Sequence, residues 1–440
     1  MTPSKRIHII TFGCQMNEHD SQRIFQLLYP AYEPTDNPAD ADLILLNTCS
    51  IREKAENKVY SMAGRFRKLK EQKKDLILGI GGCVAQQEGE RLLQKLPYVD
   101  LVFGPQTLYN LPSLLQEAEK GHRVCRTELR QDFHIPTLTT HTPNAHPFQR
   151  FITIMQGCDN FCSYCVVPYV RGREISRPME DILAEVKEAV RQGVKEVTLL
   201  GQNVNSYGKK EGRSNFAQLL RAVADCGVER LRFMTSHPKD LTEELMRCFV
   251  EIHCLCEHLH LPVQSGSTRI LKAMNRRYTR EEYIGKVHRL RELCPEISLT
   301  TDLIVGFPSE TEEDFQETLS LLQEVQYEQL FVFNYSPRPF TTAARLPHQL
   351  PLELKTARLT QIVEMQHEIS RKRHERLLGK TVEVLVDGVS SKDISEMAGR
   401  TRGNHVVNFK TADDLTGQTI NITITEAFCH SLRGELQIKG

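Results

Sequence analysis

Short apolar runs separated by stretches of helical periodicity dominate the first 125 residues. The runs fall at 6–12, 42–47, 76–81, 100–104 and 123–127. Strand-length apolar segments alternating with helices predict a parallel sheet with helices on its faces. Residues 136–147, PTLTTHTPNAHP, carry three prolines among several threonines and read as a linker. Beyond them the alternation resumes, with strands expected at 151–155, 196–200, 230–234, 258–263, 298–305 and 329–335. Six such units predict a barrel or part of one, in which ligands gather at the carboxyl ends of the strands. Residues 352–378 place Leu359, Ile362, Val363 and Ile369 at helical spacing and end on Arg371, Lys372, Arg373 and Arg376 before Gly379. Cations at a helix C-terminus followed by glycine are ordinary helix-end chemistry, with RNA contact the second reading. The tail changes character: TVEVLVDGV, GNHVVNF and QTINITIT are short alternating strands between Gly and Asp turns, the pattern of a small antiparallel barrel.

Composition narrows the class without naming it. The 440 residues carry no formal net charge, so only local features argue for a nucleic-acid partner. The amino-terminal apolar run is too short for a secretory signal, and no run approaches membrane-spanning length. Thirteen cysteines in such a chain point to metal binding or catalysis rather than disulfides, which fits a cytoplasmic protein.

The positions of six cysteines are the most informative feature. Cys14, Cys49 and Cys83 each lie just past one of the first three strands. In an open parallel sheet all those ends share one edge, so three distant thiols converge there. Each precedes a helical pattern, which turns unpaired N–H groups toward whatever the thiols hold. Three small buried residues are the bland alternative. The second set, Cys158, Cys162 and Cys165, has C-x3-C-x2-C spacing in GCDNFCSYCVVPYVRGRE, directly after an apolar strand. A structural zinc closes its shell with four ligands, and the segment offers no fourth. Three thiolates on a four-iron cluster instead leave one iron open.

Two further clusters receive structural readings. His253, Cys254, Cys256, His258 and His260, with Cys248 nearby, are expected on a packed inner barrel face rather than around a third metal. Cys125, Cys226, Cys294 and Cys429 are read the same way. In the tail, Arg400, Arg402, His405, Phe409 and Lys410 gather around the hairpin GRTRGNHVVNF, where single-stranded RNA is one reading and a solvated surface the other.

The C-x3-C-x2-C loop continuing as CVVPYVRGRE resembles the cluster motif of radical S-adenosylmethionine (SAM) enzymes. FGCQMNEHDS, LNTCSIREKAENK and GIGGCVAQQ resemble the amino-terminal domain of the methylthiotransferase family. LLGQNVNSYG, LHLPVQSGS, MNRRYTREEY and TTDLIVGFPSETEEDF match its central segments, and the hairpin resembles a TRAM domain. The resemblance implies an α/β chain of three parts. These are a flavodoxin-like parallel sheet at 4–122, a partial (β/α)6 radical SAM barrel at 144–375 and a small C-terminal antiparallel β-barrel (TRAM) at 378–440. It also implies two 4Fe-4S clusters, an auxiliary one on Cys14, Cys49 and Cys83 and a SAM-cleaving one on Cys158, Cys162 and Cys165. Among the polar strand ends, Gln202, Asn203, Gln264 and Ser265 are the candidates for the SAM pocket. No residue beyond the cluster ligands is assigned a catalytic role.

The implied reaction replaces C–H at carbon 2 of an adenine by C–S–CH3. One SAM supplies a 5'-deoxyadenosyl radical and another the methyl group, with sulfur delivered through the auxiliary cluster. Gly13-Cys14-Gln15-Met16-Asn17 reads as in members acting on N6-isopentenyladenosine beside the tRNA anticodon, whereas the relative that modifies a ribosomal-protein aspartate usually has Pro-Lys in place of Gln-Met. The implied partners are a tRNA anticodon stem-loop bearing that base and a reductant such as flavodoxin or ferredoxin, with no membrane. A non-catalytic iron-sulfur RNA-binding protein is the reading from another class. One departure concerns a loop: Phe340-Thr341-Thr342 follows Pro339 where the family usually has Gly-Thr-Pro, which leaves that loop's shape open.

Overall fold

Residues Lys5 to Arg126 supply a six-stranded, all-parallel sheet in a computed structural model that describes residues 4–50, 53–130, 132–138, 146–212 and 214–437. Its strands are β1 (Lys5–Thr11), β2 (Tyr32–Pro34), β3 (Leu43–Thr48), β4 (Ile77–Gly82), β5 (Leu101–Phe103) and β6 (Val124–Arg126), in the order β2-β1-β3-β4-β5-β6. β3 and β4 are buried along their whole length, as strands covered on both faces must be. The two faces carry separate apolar layers, one built on Ile7, Leu43 and Leu45, the other on Ile44, Leu46 and Ile80. The sequence pattern anticipates five of the six strands. β2 is missing from it because it is three residues long, ends in Pro34 and lies at the sheet edge, where a proline is tolerated. The central residues 139–145 of the expected linker lie outside the described residues.

The second unit contains β7 (Gln149–Thr153), β8 (Met155–Gln156), β9 (Ile175–Ser176), β10 (Glu196–Leu200), β11 (Arg230–Phe233), β12 (His258–His260), β13 (Ser298–Val305) and β14 (Gln329–Asn334). All six long-range strands pair in parallel, as β11-β10-β7 and β12-β13-β14, and a bridge between Leu231 and Leu255 links the two halves. Helices pack outside and one apolar core runs through the unit, giving the open six-stranded barrel. The antiparallel pair β8–β9 closes the excursion that carries Cys158, Cys162 and Cys165. His258 and Cys256 are buried, desolvation pushing the basicity of His258 down, and Cys254 and His260 are half-buried, whereas His253 is exposed and departs from the expected packed interior.

The third unit is a closed antiparallel-rich barrel of β15 (Thr381–Val389), β16 (Glu396–Thr401), β17 (Val406–Lys410), β18 (Thr419–Ala427) and β19 (Leu432–Leu436), filled by Val384, Val386, Phe409 and Ile422. Its β16–β17 hairpin turns inward. Arg402 pairs with Glu257 and donates to the carbonyls of His253 and Leu255. Arg230 and Arg232 donate back to the carbonyl of Thr401. Phe409 is fully buried, and His405 packs edge-on to His374. Of the five hairpin residues considered for RNA, only Arg400 and Lys410 remain exposed. This hairpin is a docking element because Arg402 finds carbonyl and carboxylate acceptors on the neighbouring domain and the Thr401 carbonyl accepts from Arg230 and Arg232 of that domain.

Two buried ion pairs lock the first unit onto the second. Arg23 reaches Glu185 at 2.8 Å and Asp20 meets Arg171 at 2.7 Å, while Arg177 of the second unit shares Glu185 at 2.8 Å. Among the described residues no helix is long and apolar enough to cross a membrane.

Candidate active site

Cys14, Cys49 and Cys83 meet where β1, β3 and β4 end. Cys14 precedes the helix Gln15–Leu28 and Cys83 opens the helix Cys83–Glu88, so helix N-termini face the group. Gly13 adopts φ +121°, and a Cβ there would overlap the Cys49 side chain, so only glycine lets the two thiols approach. Hydrogen bonding to Cys49, aided by the Arg171 charge, pulls the Cys14 thiol down to about 6. Burial pushes the Cys83 thiol up, and Arg171 works against it. A buried guanidinium beside these thiols favours the thiolate form that a metal ligand must adopt.

The second trio sits on a loop held from three sides. Gly157 lies at φ +80°, where a Cβ would overlap the carbonyl of Arg173. Its N–H donates to Gln202 Oε1 at 2.5 Å, and Cys158 N–H donates to Gly172 O at 3.2 Å. Asn275 Nδ2 donates to the carbonyls of Asn160 and Phe161, and Ser163 N–H to Met274 O. Arg276 Nη1 lies 3.5 Å from Cys162 Sγ, its other nitrogens being tied to Pro262 O and Tyr278. Burial pushes Cys158 up to about 11 and Cys165 up to about 12. Such thiols ionise readily only against a strong local positive charge, which a metal centre provides. No group of three or more His, Cys, Asp or Glu among the described residues is placed to hold a single metal ion. A cluster is a larger body than an ion, and three thiols without a fourth ligand suit it better than zinc.

A cavity of about 450 Å³ opens between the two trios. Ser50, next to Cys49, lies on one wall, and Cys165 with Tyr164 and Val167 on another. Gln264, Asp302, Asn334 and Arg338 contribute to its polar lining, and Ile304, Val332 and Leu359 to its apolar lining. Ser50 Oγ and Asn334 Oδ1 are buried without a hydrogen-bond partner among the described residues, so polar atoms are left for a ligand to satisfy. His260 Nε2 stands 3.4 Å from Asp302 Oδ2 and orients that carboxylate.

The four candidate SAM residues fall differently. Gln264, at φ +74°, lines the cavity. Gln202 reaches the cluster loop and leaves Nε2 buried and unpartnered among the described residues. Asn203 donates to Asp240 at 2.8 Å and leaves Oδ1 unpartnered among the described residues. Ser265 accepts from the Ser267 N–H and shapes its own turn. Sequence reasoning passes over Ser50, Asp302, Arg171 and Arg276. Ser50 follows Cys49 and Arg171 follows the C-x3-C-x2-C loop, so nearness to a cysteine is their one sequence signal; for Asp302 and Arg276 it is their place in the family-matching segments TTDLIVGFPSETEEDF and MNRRYTREEY.

The loop with the unusual Phe340 also takes a definite shape. Thr341 N–H donates to Arg338 O at 3.3 Å, Pro339 holds the second position and Phe340 the third at φ +69°. This is the pattern of a type II turn, whose third position favours glycine. Phenylalanine there costs on the order of 1 kcal/mol.

Comparison with known proteins agrees with this layout. Family models match in three places: uncharacterized protein family UPF0004 at residues 6–104, the radical SAM superfamily at 152–322 and the TRAM domain at 375–437. Among solved structures, the radical SAM methyltransferase TsrM from Kitasatospora setae superposes with a TM-score of 0.58 at 15% identity, covering 78% of this chain and 74% of that one. The cobalamin-dependent SAM radical enzyme OxsB gives 0.53 at 13% identity, covering 83% and 56%. At these identities the likeness concerns the fold. Curated relatives are far nearer. A tRNA-2-methylthio-N(6)-dimethylallyladenosine synthase of Geobacter sulfurreducens is 52% identical, covering 99% of this chain and 98% of its own length. One from Burkholderia mallei is 48% identical, covering 98% and 97%. Identity at this level along the full length shows that the chain belongs to the tRNA-2-methylthio-N(6)-dimethylallyladenosine synthase family.

Proposed function

We propose that this chain is a tRNA methylthiotransferase that converts N6-isopentenyladenosine next to the anticodon to its 2-methylthio derivative. The observation that carries the reading is the shared cavity, bounded by Ser50 beside one cysteine trio and by Cys165 of the other. Full-length relatives named for tRNA support it over a ribosomal-protein aspartate. The working parts are the auxiliary-cluster domain at 4–122, the radical SAM core at 144–375 and the RNA-binding barrel at 378–440.

The hydrogen at carbon 2 of adenine is not acidic enough for a general base, so the protein's task is to hold cofactors and exclude side reactions. When bound, SAM and two 4Fe-4S clusters supply the chemistry: a 5'-deoxyadenosyl radical, a sulfur and a second SAM's methyl group, with electrons from a reductant such as flavodoxin or ferredoxin. Cys158, Cys162 and Cys165 would hold one cluster, and Cys14, Cys49 and Cys83 the other. Arg276 beside Cys162 and Arg171 beside Cys83 offset the negative charge of each thiolate set. Gln202, Asn203 and Gln264 would contact SAM, while Ser265 shapes the turn that presents Gln264. The Arg23–Glu185–Arg177 triad keeps the two trios facing each other across the substrate.

Anaerobic protein incubated with SAM, reductant and isopentenylated anticodon stem-loop should yield 2-methylthio product together with 5'-deoxyadenosine. Absence of both, or turnover of a ribosomal-protein substrate instead of the stem-loop, would overturn this reading.

A further inference from the structure

Three aromatic rings stand in a row on the surface beside the cavity mouth. Phe161 and Tyr169 have centroids 6.1 Å apart and edge-on, and Tyr169 and Phe340 are 6.0 Å apart at a 34° tilt. The Arg173 guanidinium lies 4.8 Å from the Phe161 centroid, extending the row with a cation. Phe340 is 56% exposed and Tyr169 39%, so neither ring fills a core. Both Phe161 and Phe340 occupy left-handed backbone, at φ +46° and +69°, where glycine would be unstrained. Strain maintained for an exposed ring indicates that the ring has work to do outside the fold. The segments are also tied together: Ala343 N–H donates to Ser163 O at 2.8 Å, fixing the Phe340 turn against the cluster loop. Val167 and Arg338, which line the cavity, lie two residues from Tyr169 and Phe340.

We propose that Phe161, Tyr169 and Phe340 form a stacking platform for an unpaired nucleobase of the RNA substrate, adjacent to the adenine that enters the cavity. The assignment rests on the tRNA reading and adds a recognition element to it. An adenine held in a cavity is extruded from its own stack, and its neighbours lose a stacking partner at the same moment. Exposed aromatic faces beside an arginine replace that partner without reading sequence, as single-stranded RNA sites do. Arg173 adds a cationic contact to the same row. A flat π-face, not the size of the side chain, is what this role requires.

The test uses full-length, cluster-loaded protein and a fluorescein-labelled isopentenylated anticodon stem-loop, read by anisotropy. Phe340→Gly restores the residue that the turn favours, so fold and iron content should match the parent, yet Kd and KM for the stem-loop should rise about 5- to 100-fold. Phe340→Leu should behave like glycine, and Phe340→Trp should bind like the parent. Independently of any variant, a 2-aminopurine placed beside the target adenosine should lose fluorescence on binding the parent protein through stacking. Affinity of the glycine and leucine variants within twofold of the parent, or an unquenched 2-aminopurine, would overturn the platform. A parent protein that neither binds nor modifies the stem-loop would instead overturn the tRNA reading itself.

Discussion

Replacing Cys14, Cys49 and Cys83 together by alanine should leave SAM cleavage to 5'-deoxyadenosine in place while abolishing the 2-methylthio product. The two trios stand on different domains, and only the loop of Cys158, Cys162 and Cys165 is contacted by Gln202 and Arg276. The amino-terminal trio faces the cavity through Ser50 and takes its cation from Arg171. Division of labour between separate sites predicts separable losses. The matching variant of Cys158, Cys162 and Cys165 should lose both products, because no SAM is cleaved. Chromatographic quantification of 5'-deoxyadenosine and of the modified nucleoside from one reaction reads both. Equal loss of both products in the amino-terminal variant would mean that the trios do not act separately.

Glu185→Ala should be the most destabilising single substitution at the interface between the first two units. Its carboxylate accepts Arg23 Nη2 at 2.8 and 3.0 Å and Arg177 Nη1 at 2.8 Å, and both arginine side chains are fully buried. Removing one partner of a buried pair leaves uncompensated charge, at about 3–5 kcal/mol. Here one carboxylate serves two cations, so the loss belongs at the upper end of that range. The other acceptors of these guanidiniums, His19 Nε2 for Arg23 and Thr153 O and Thr137 Oγ1 for Arg177, are neutral and leave the buried charge uncompensated. Thermal unfolding should shift to markedly lower temperature, and methylthiolation should fall more steeply than SAM cleavage, because loosening this contact lets the two trios drift apart. A midpoint within a degree of the parent would show that the triad does not hold the domains together.

Much of this arrangement is legible in the chain itself, for a physical reason. A parallel sheet puts the carboxyl ends of its strands on one edge, so three cysteines placed after β1, β3 and β4 are brought together by topology alone. The C-x3-C-x2-C loop is local and needs no tertiary information. What pattern cannot supply is docking. Arg171 reads as part of the cluster loop, and only the fold carries it to Asp20 and the opposite trio. Arg402 and His405 have the same composition whether a hairpin faces RNA or a neighbouring domain, and here burial against His253, Leu255 and His374 decides the matter. Asp302 lies within a strand whose family-matching segment marks the stretch but not which of its side chains reaches the cavity.

The Phe340 turn shows where sequence and structure inform each other. A phenylalanine in place of glycine reads as a departure from the family, and the structure keeps the turn while displaying the ring. Substitution at a left-handed position is tolerated here because Pro339 presets the preceding residue and Thr341 closes the turn.

The claim on which everything depends is that each cysteine trio grips its own four-iron cluster on either side of one cavity. Iron and acid-labile sulfide counted per chain, on anaerobically reconstituted parent and on the two triple-alanine variants, test it most directly. About eight irons in the parent and about four in each variant is the predicted result. Zinc in place of iron, or a variant that keeps the parent's full iron content, would contradict it.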